Sequence, residues 1–317
     1  MIFNNKRVLI ACLANPSSNP RPNRIINLLN QIKIKVDVLS FKTNKDLPIE
    51  NEYLIKILRT PYYRNKRDLL KFLLTVSPFY NLKLKITELL GELYLIDHNI
   101  DFDNYDLIII EDIEILPIIL KYKKNAKILC DLREFYPLQH ENNIKFNILE
   151  RNYKYLLCKH FLSSCDAIIT VSEGISNFFK NWFNLKSQVI MSCPYFIDIA
   201  PSKNISNTIK MVHHGAPNRD RKLERMIEIF QFLDERFYLD FYLVNYYNRK
   251  YIEHLKKIAE PFQKIRFLNP VSFNDIIPTM NKYDIGLYLL EPTGINTKHA
   301  LPNKFFEYIQ ARLMIAI

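Results

Sequence analysis

The sequence predicts an α/β protein built as two Rossmann-like halves in tandem, each a parallel sheet wrapped by helices. Short apolar runs bounded by turn residues recur along the chain and alternate with stretches of helical spacing. The 317 residues, 48% of them hydrophobic, can fill two cores at roughly 100–200 residues per domain. A polar, proline-containing stretch, "PYFIDIAPSKNISNT" (Pro194 to Thr208), breaks the alternation once. The expected division is a domain over 1–194, a linker over 195–208 and a second domain over 209–317.

The elements follow in order. "RVLIACLA" (Arg7 to Ala14) and "KVDVLSF" (Lys35 to Phe41) read as strands. Between them Ile25, Leu28, Leu29 and Ile32 fall at helical spacing. "YDLIIIED" (Tyr105 to Asp112), the helical "IEILPIILKYKK" and "AKILCDL" (Ala126 to Leu132) repeat the unit. "CDAIITVSE", the helix "GISNFFKNWF" and "SQVIMSC" close the first series. The second series opens at "IKMVHHG" (Ile209 to Gly215). It continues through the strands "FYLDFYLV", "KIRFLNPV" and "DIGLYLLEP", with helices between them, and ends in a helix starting near Pro302.

Composition excludes several classes. Cys12, Cys130, Cys158, Cys165 and Cys193 are odd in number and contain no C-x-x-C pair, so they read as reduced thiols of a cytoplasmic protein. No stretch approaches the ~20 apolar residues of a membrane span, and no signal peptide is visible. The formal charge of +11 comes without a nucleic-acid-binding motif, and the Lys, Asn and Ile bias accounts for it; no nucleic-acid partner is expected. A basic surface suits anionic lipid or a nucleotide-phosphate substrate equally well.

Much chemistry is missing. Only five glycines occur, none near Ala14, and neither G-x-G-x-x-G nor a P-loop is present. No Ser sits in G-x-S-x-G, and His and Cys show no metal-ligand spacing, so neither metal nor cofactor is expected. The Asp-x-Asp of Asp101, Phe102 and Asp103 precedes its strand instead of following it, which makes it a solvated loop.

The terminal "HALPNKFFEYIQARLMIAI" is the most informative stretch. Pro302 suits the first position of a helix, and Leu301 before it is a poor N-cap. First-turn N–H groups around Asn303 and Lys304 are then left for an anion, at the positive end of the helix dipole. On a helical wheel Phe305, Phe306, Ile309 and Leu313 form an apolar stripe expected to pack on the sheet. Asn303, Lys304 and Glu307 fall opposite, where Lys can pair with phosphate and Glu can accept from vicinal hydroxyls. Spacing alone equally describes an ordinary amphipathic helix with a Lys/Glu pair.

"LPNKFFEYIQARLMI" resembles the nucleotide-sugar helix of GT-B glycosyltransferases, especially the retaining family 4-like group, where a P-x-K-x-x-E stretch occurs in the C-terminal domain. "VHHGAPNRDRKLERMIEIF", "YDIGLYLLEP", "ILCDLREFYP", "AIITVSEGISNFF" and "NPRPNRIINLL" resemble other segments of the same group, in the same order. The resemblance implies a GT-B fold, two Rossmann-like domains facing across a cleft. It also implies further elements after "ARLMIAI", so the second domain is expected to be incomplete, and 1–317 less stable and less active than a longer form.

It implies site residues as well. Glu307 matches the donor ribose ligand; Arg221 and Lys304 match the cations that neutralise the diphosphate. Arg219 and Lys222 cluster with Arg221 just after a strand end, a position that also suits plain helix-start residues. Gly215 lets the backbone approach phosphate, or merely turns. "PTGIN", with Gly294, is the loop whose amides face sugar and phosphate. His299 stands where the family often has a second Glu, which weakens its claim to that role.

On the acceptor side Asp131, Arg133 and Glu134 follow a buried strand. Arg133 stands where relatives often carry His. Asp131, Glu134 and His299 are the catalytic candidates, and Arg21, Arg24 and Arg133 the acceptor-binding ones. "KRDLLKFLLTVSPFYNLKLKITELL" (Lys66 to Leu90) reads either as packed helices or as an interfacial pair resting on the inner face of the cytoplasmic membrane.

The expected function is transfer of a sugar from a nucleotide-diphosphate sugar to a glycan or lipid-linked acceptor in bacterial surface polysaccharide assembly, whether capsule, O-antigen or lipooligosaccharide. The resemblance implies retention of configuration and no catalytic metal. A non-catalytic GT-B-like subunit that scaffolds a partner transferase, and a sugar-nucleotide epimerase, are the alternatives.

Overall fold

A computed structural model describes residues 6–41, 47–57, 61–96, 100–202, 206–244 and 248–317. Residues 203–205 of the expected linker lie outside that set. The chain forms two compact units: Met1–Met191 with Gly294–Ala300, and Ser192–Thr293 with Leu301–Ile317. Gly294–Ala300, placed by the sequence reading in the C-terminal half, thus belongs to the first unit.

The first unit is built on β1 (Arg7–Ala11), β2 (Lys35–Ser40), β3 (Glu52–Ile57), β4 (Tyr94–Ile96), β5 (Leu107–Ile110), β6 (Lys127–Leu132), β7 (Ala167–Thr170) and β8 (Gln188–Val189). Their order is β4-β3-β2-β1-β5-β6-β7-β8. All neighbours run parallel except β3 and β4, which pair antiparallel, so the expected all-parallel sheet carries one antiparallel edge. Only three residues long, β4 is too short to register a period of its own. Side chains alternate between two apolar layers, Leu9, Ile108 and Ile128 in one, Val8, Ile10, Val36 and Val38 in the other. Burial on both faces is why these strands read as unbroken apolar runs.

The second unit holds β9 (Ile209–Gly215), β10 (Phe237–Leu243), β11 (Ile265–Leu268), β12 (Ile285–Leu287) and β13 (Met314–Ala316), ordered β11-β10-β9-β12-β13 and parallel throughout. The terminal helix differs from expectation. It covers Asn303–Gln310, with Pro302 as N-cap, and stops at Ala311 because Arg312 turns left-handed at φ 63°. Leu313 lies beyond the helix, and Met314–Ala316 extends the sheet beside β12.

Both sheets reverse direction of growth beside their first strand. The chain builds outward from β1 through β2 and β3, then returns to place β5 on the other side of β1; it does the same with β12 beside β9. Ligands of such sheets collect outside the carboxyl ends of the strands at this reversal.

Candidate functional site

At the carboxyl end of β9 stand His213, His214 and Gly215. Gly215 takes φ +111°, a conformation L side chains rarely adopt. A Cβ there would stand 2.8 Å from Lys304 Nζ and 3.0 Å from its Cε, so the terminal helix lays its lysine across the bare backbone. The helix buries Lys304, Glu307 and Tyr308, while Phe305 and Phe306 are half-buried and Ile309 is exposed. This overturns the expected orientation, in which the phenylalanine stripe met the sheet. Tyr308 is what fits there: its ring covers Gly286 of β12, where a Cβ would lie 2.3 Å from Tyr308 Cγ.

Lys304 pairs with no carboxylate among the described residues. Burial and the nearby Arg221 guanidinium push its ammonium down to about 7, and Glu307 only partly opposes them. Its Nζ lies 5.5 Å from the centre of the Tyr288 ring. Arg221 is half-buried at the end of a short turn, Arg219–Arg221, and also forms no ion pair among the described residues. Two basic side chains thus lie near each other, one of them against a bare glycine backbone, an arrangement that an anion relieves.

Glu307 Oε2 lies 3.2 Å from His214 Nε2. Burial lowers the His214 pKa despite that carboxylate. His213 is fully buried, its Nδ1 2.8 Å from the Leu287 carbonyl, and burial holds it neutral. It stacks on Tyr288 at 6.1 Å. His213, His214 and Tyr288 were not singled out from sequence; their signal was the unusual pair of histidines ending an apolar strand.

Other donor-side candidates are placed less directly. Arg219 is exposed and lies over the Tyr251 ring at 5.3 Å. Lys222 bonds Glu291 at 2.5 Å, sharing that carboxylate with Arg225 at 3.2 Å. Asn303 is the half-buried first residue of the helix. Gly294 belongs to the first unit, where its N–H donates to Thr297 Oγ1 at 2.9 Å and the Ile295 N–H donates to Glu141. Those two amides are therefore engaged within the protein, contrary to the expected phosphate-facing loop.

In the first unit, polar groups gather at the carboxyl ends of β1, β5 and β6. Arg21 is buried and gives Nε to Asp131 Oδ2 at 2.5 Å and Nη1 to the Ile190 carbonyl at 2.9 Å. Instead of reaching an acceptor separately, Arg21 and Asp131 hold each other. Arg24 is half-buried on the same helix, Pro20–Gln31. Arg133 Nη2 donates to the Glu111 carbonyl and to Asp112 Oδ1, each at 3.3 Å, and its Nε lies 3.6 Å from Glu111 Oε2. Glu134 is half-buried beside it.

Glu111 and Asp112, missed from sequence, sit beside the reversal of the first sheet. Glu111 is fully buried, and neither carboxylate oxygen has a hydrogen-bond partner among the described residues. Burial, then the Asp131 charge, lifts its pKa to about 8 against the pull of Arg133. Burial raises Asp112 as well, although it accepts the Leu13 N–H at 2.7 Å. Their signal was present in the Glu-Asp that ends "YDLIIIED".

His299 also lies in the first unit. Its ring presses on Gly174, meets Phe178 edge-on at 5.6 Å, and its carbonyl accepts from Ser172 Oγ at 2.9 Å. Asp101 caps the turn Phe102–Asn104, and Asp103 accepts from the Lys124 and Asn125 N–H groups, so this Asp-x-Asp serves loop structure. Among the described residues, no three His, Cys, Asp or Glu side chains gather to hold a metal ion, and no helix is long and apolar enough to cross a membrane.

No protein-family model matches the chain, and no curated protein matches it in sequence. Solved structures do. The Anabaena protein HepE in complex with UDP-glucose matches with a TM-score of 0.64 at 12% identity, over 98% of this chain and 79% of that one. A variant of S. aureus TarM, in complex with fondaparinux, alpha-GlcNAc-glycerol and UDP, gives 0.63 at 8% identity, over 98% and 85%. Sucrose-phosphate synthase from Thermosynechococcus elongatus gives 0.59 at 12% identity, over 90% and 75%. At these identities the likeness is one of architecture, and with the two Rossmann-like sheets it shows that this chain has the GT-B fold.

Proposed function

We propose that the protein is a glycosyltransferase that takes a nucleoside-diphosphate sugar as donor. The observation that carries this reading is Lys304, laid against the side-chain-free backbone of Gly215 with the Arg221 guanidinium near it, both without a carboxylate ion pair among the described residues. A diphosphate there neutralises both cations, and the leaving diphosphate gains charge where they already stand. In this reading Glu307 accepts from ribose hydroxyls, backed by His214 at 3.2 Å. That the matched HepE and TarM structures hold UDP-glucose or UDP supports the same class of donor.

Retention of configuration, independence from metal, and a glycan or lipid-linked acceptor in surface polysaccharide assembly extend this reading along the resemblance. In the first unit, Asp131, Arg133 and Glu134 would face the acceptor, and Glu111 joins them by position. The helices Pro61–Val76 and Tyr80–Glu92 expose Leu69, Phe72, Leu73, Val76 and Leu82, and Phe79 between them is exposed as well, which supports a peripheral seat on an anionic membrane.

The test is thermal stabilisation by UDP, UDP-glucose and GDP-mannose, followed by nucleoside-diphosphate release with and without a glycan acceptor. Stabilisation that Lys304→Met abolishes supports the donor site. Binding without turnover would point to a scaffold subunit, and donor conversion with no acceptor to an epimerase.

A further inference from the structure

A concave site lies in the first unit. It encloses about 410 Å³ and is lined by Pro137, Asn147, Arg151, Asn152, Tyr155 and Trp182. Trp182 is the chain's single tryptophan and is 41% exposed, yet it is fixed in place. The buried Phe135 ring meets it edge-on at 5.2 Å, and Tyr155 lies 6.4 Å away at 64°. Asn147 gives its amide N–H to the Glu141 carbonyl at 2.8 Å, which orients its Oδ1. That oxygen is buried, and no described group donates to it.

We propose that this pocket binds a pyranose ring of a glycan, as an acceptor-holding subsite; the acceptor role rests on the glycosyltransferase reading above. The face of an indole is electron-rich, and the C–H groups of one pyranose face carry the complementary positive edge, so the ring packs on Trp182. Two amides and a guanidinium around the rim match hydroxyls that project sideways from that ring. The unanswered Asn147 Oδ1 accepts from one of them, as a buried acceptor requires. A few polar groups around an aromatic wall is the usual composition of a small-molecule site. The pocket is also continuous in chain with the acceptor-side residues: Arg133 and Glu134 lead directly into Phe135 and Pro137.

Trp182 reports on its own site. Intrinsic fluorescence is titrated with the methyl glycosides of glucose, N-acetylglucosamine and glucuronic acid, and with uridine. A saturable change with at least one glycoside, half-complete near ~10 mM or below, is expected. Arg151→Ala should weaken it about fivefold, the loss of one hydrogen bond, with an unchanged melting temperature, and Asn147→Ala should weaken it as much while also lowering the melting temperature through the lost bond to the Glu141 carbonyl. A linear, unsaturable response to every glycoside overturns the proposal, as does stronger binding of uridine, or variants that bind like the parent protein. Donor binding is read separately through Lys304 in the other unit, so failure of the donor reading and failure of this pocket are distinguishable.

Discussion

Lys304 Nζ lies 2.8 Å from the point where a side chain at Gly215 would begin. The glycine and the lysine, nearly ninety positions apart, therefore form one unit: absence of a side chain at the first makes room for the charge of the second. Gly215→Ala should cost about 1–3 kcal/mol through its φ of +111° alone. It should also displace the ammonium and abolish thermal stabilisation by UDP-glucose. Unchanged stabilisation would refute the pairing.

The charge of Lys304 gives a second prediction. Its pKa falls from 10.5 to about 7, with Arg221 and Glu307 facing it. Between those values the folded state binds fewer protons than the unfolded, so stability rises with pH across the window and the full cost is felt below 7. The slope is roughly 1.4 kcal/mol per pH unit at most. Lys304→Met should raise the melting temperature of the ligand-free protein at pH 6. It should weaken UDP-glucose binding about tenfold or more there, and erase the loss of affinity expected of the parent protein above pH 7 as Lys304 gives up its proton. Calorimetry at pH 6, 7 and 8 reads both effects.

Glu111 behaves in the opposite sense. Its folded pKa of about 8 lies above the ordinary 4.5, and the charged groups facing it are Asp131, Asp112, Arg133 and Arg21. The folded state holds the extra proton between those values, so this contribution is complete below 4.5 and is lost as pH rises through 8. Glu111→Gln should match the parent protein near pH 5 and unfold at higher urea near pH 9. Parallel stability curves for the two proteins would show that Glu111 is ionised throughout.

Packing supplies a fourth prediction. Gly286→Ala places a Cβ 2.3 Å from Tyr308 Cγ, and overpacking of that kind costs about 1–3 kcal/mol. In a Tyr308→Ala background the same change should cost far less. That coupling, measured by urea denaturation, reports the contact itself.

The strands at the centre of both sheets were legible because burial on two faces leaves them no polar positions. β3 and β4 were not, being half-exposed or three residues long. The sequence also singled out Lys304, Glu307 and Gly215, which the fold brings together at the end of β9. It misjudged which face of their helix is buried. A helical wheel sorts side chains by polarity, whereas here a lysine and a glutamate are buried over a glycine and a histidine while Ile309 is exposed. Glu111, Asp112, His213 and Tyr288 went unseen because their importance depends on strand order. Which strand neighbours β1 or β9 is a long-range fact that local periodicity does not contain.

Asn296 bonds the Phe135 N–H at 2.6 Å, and gives its own amide hydrogens to the Phe135 and Leu138 carbonyls at 3.1 Å each. The recipients belong to the first unit, yet their partner is made more than a hundred and fifty residues later, after nearly all of the second unit's strands. During synthesis on the ribosome, the segment around Phe135 must wait for it with two main-chain groups, the Phe135 N–H and the Leu138 carbonyl, unanswered, each worth about 1–3 kcal/mol if left dry. The N-terminal unit is thus completed only after most of the second has been synthesised, and no contiguous segment of the chain corresponds to it alone.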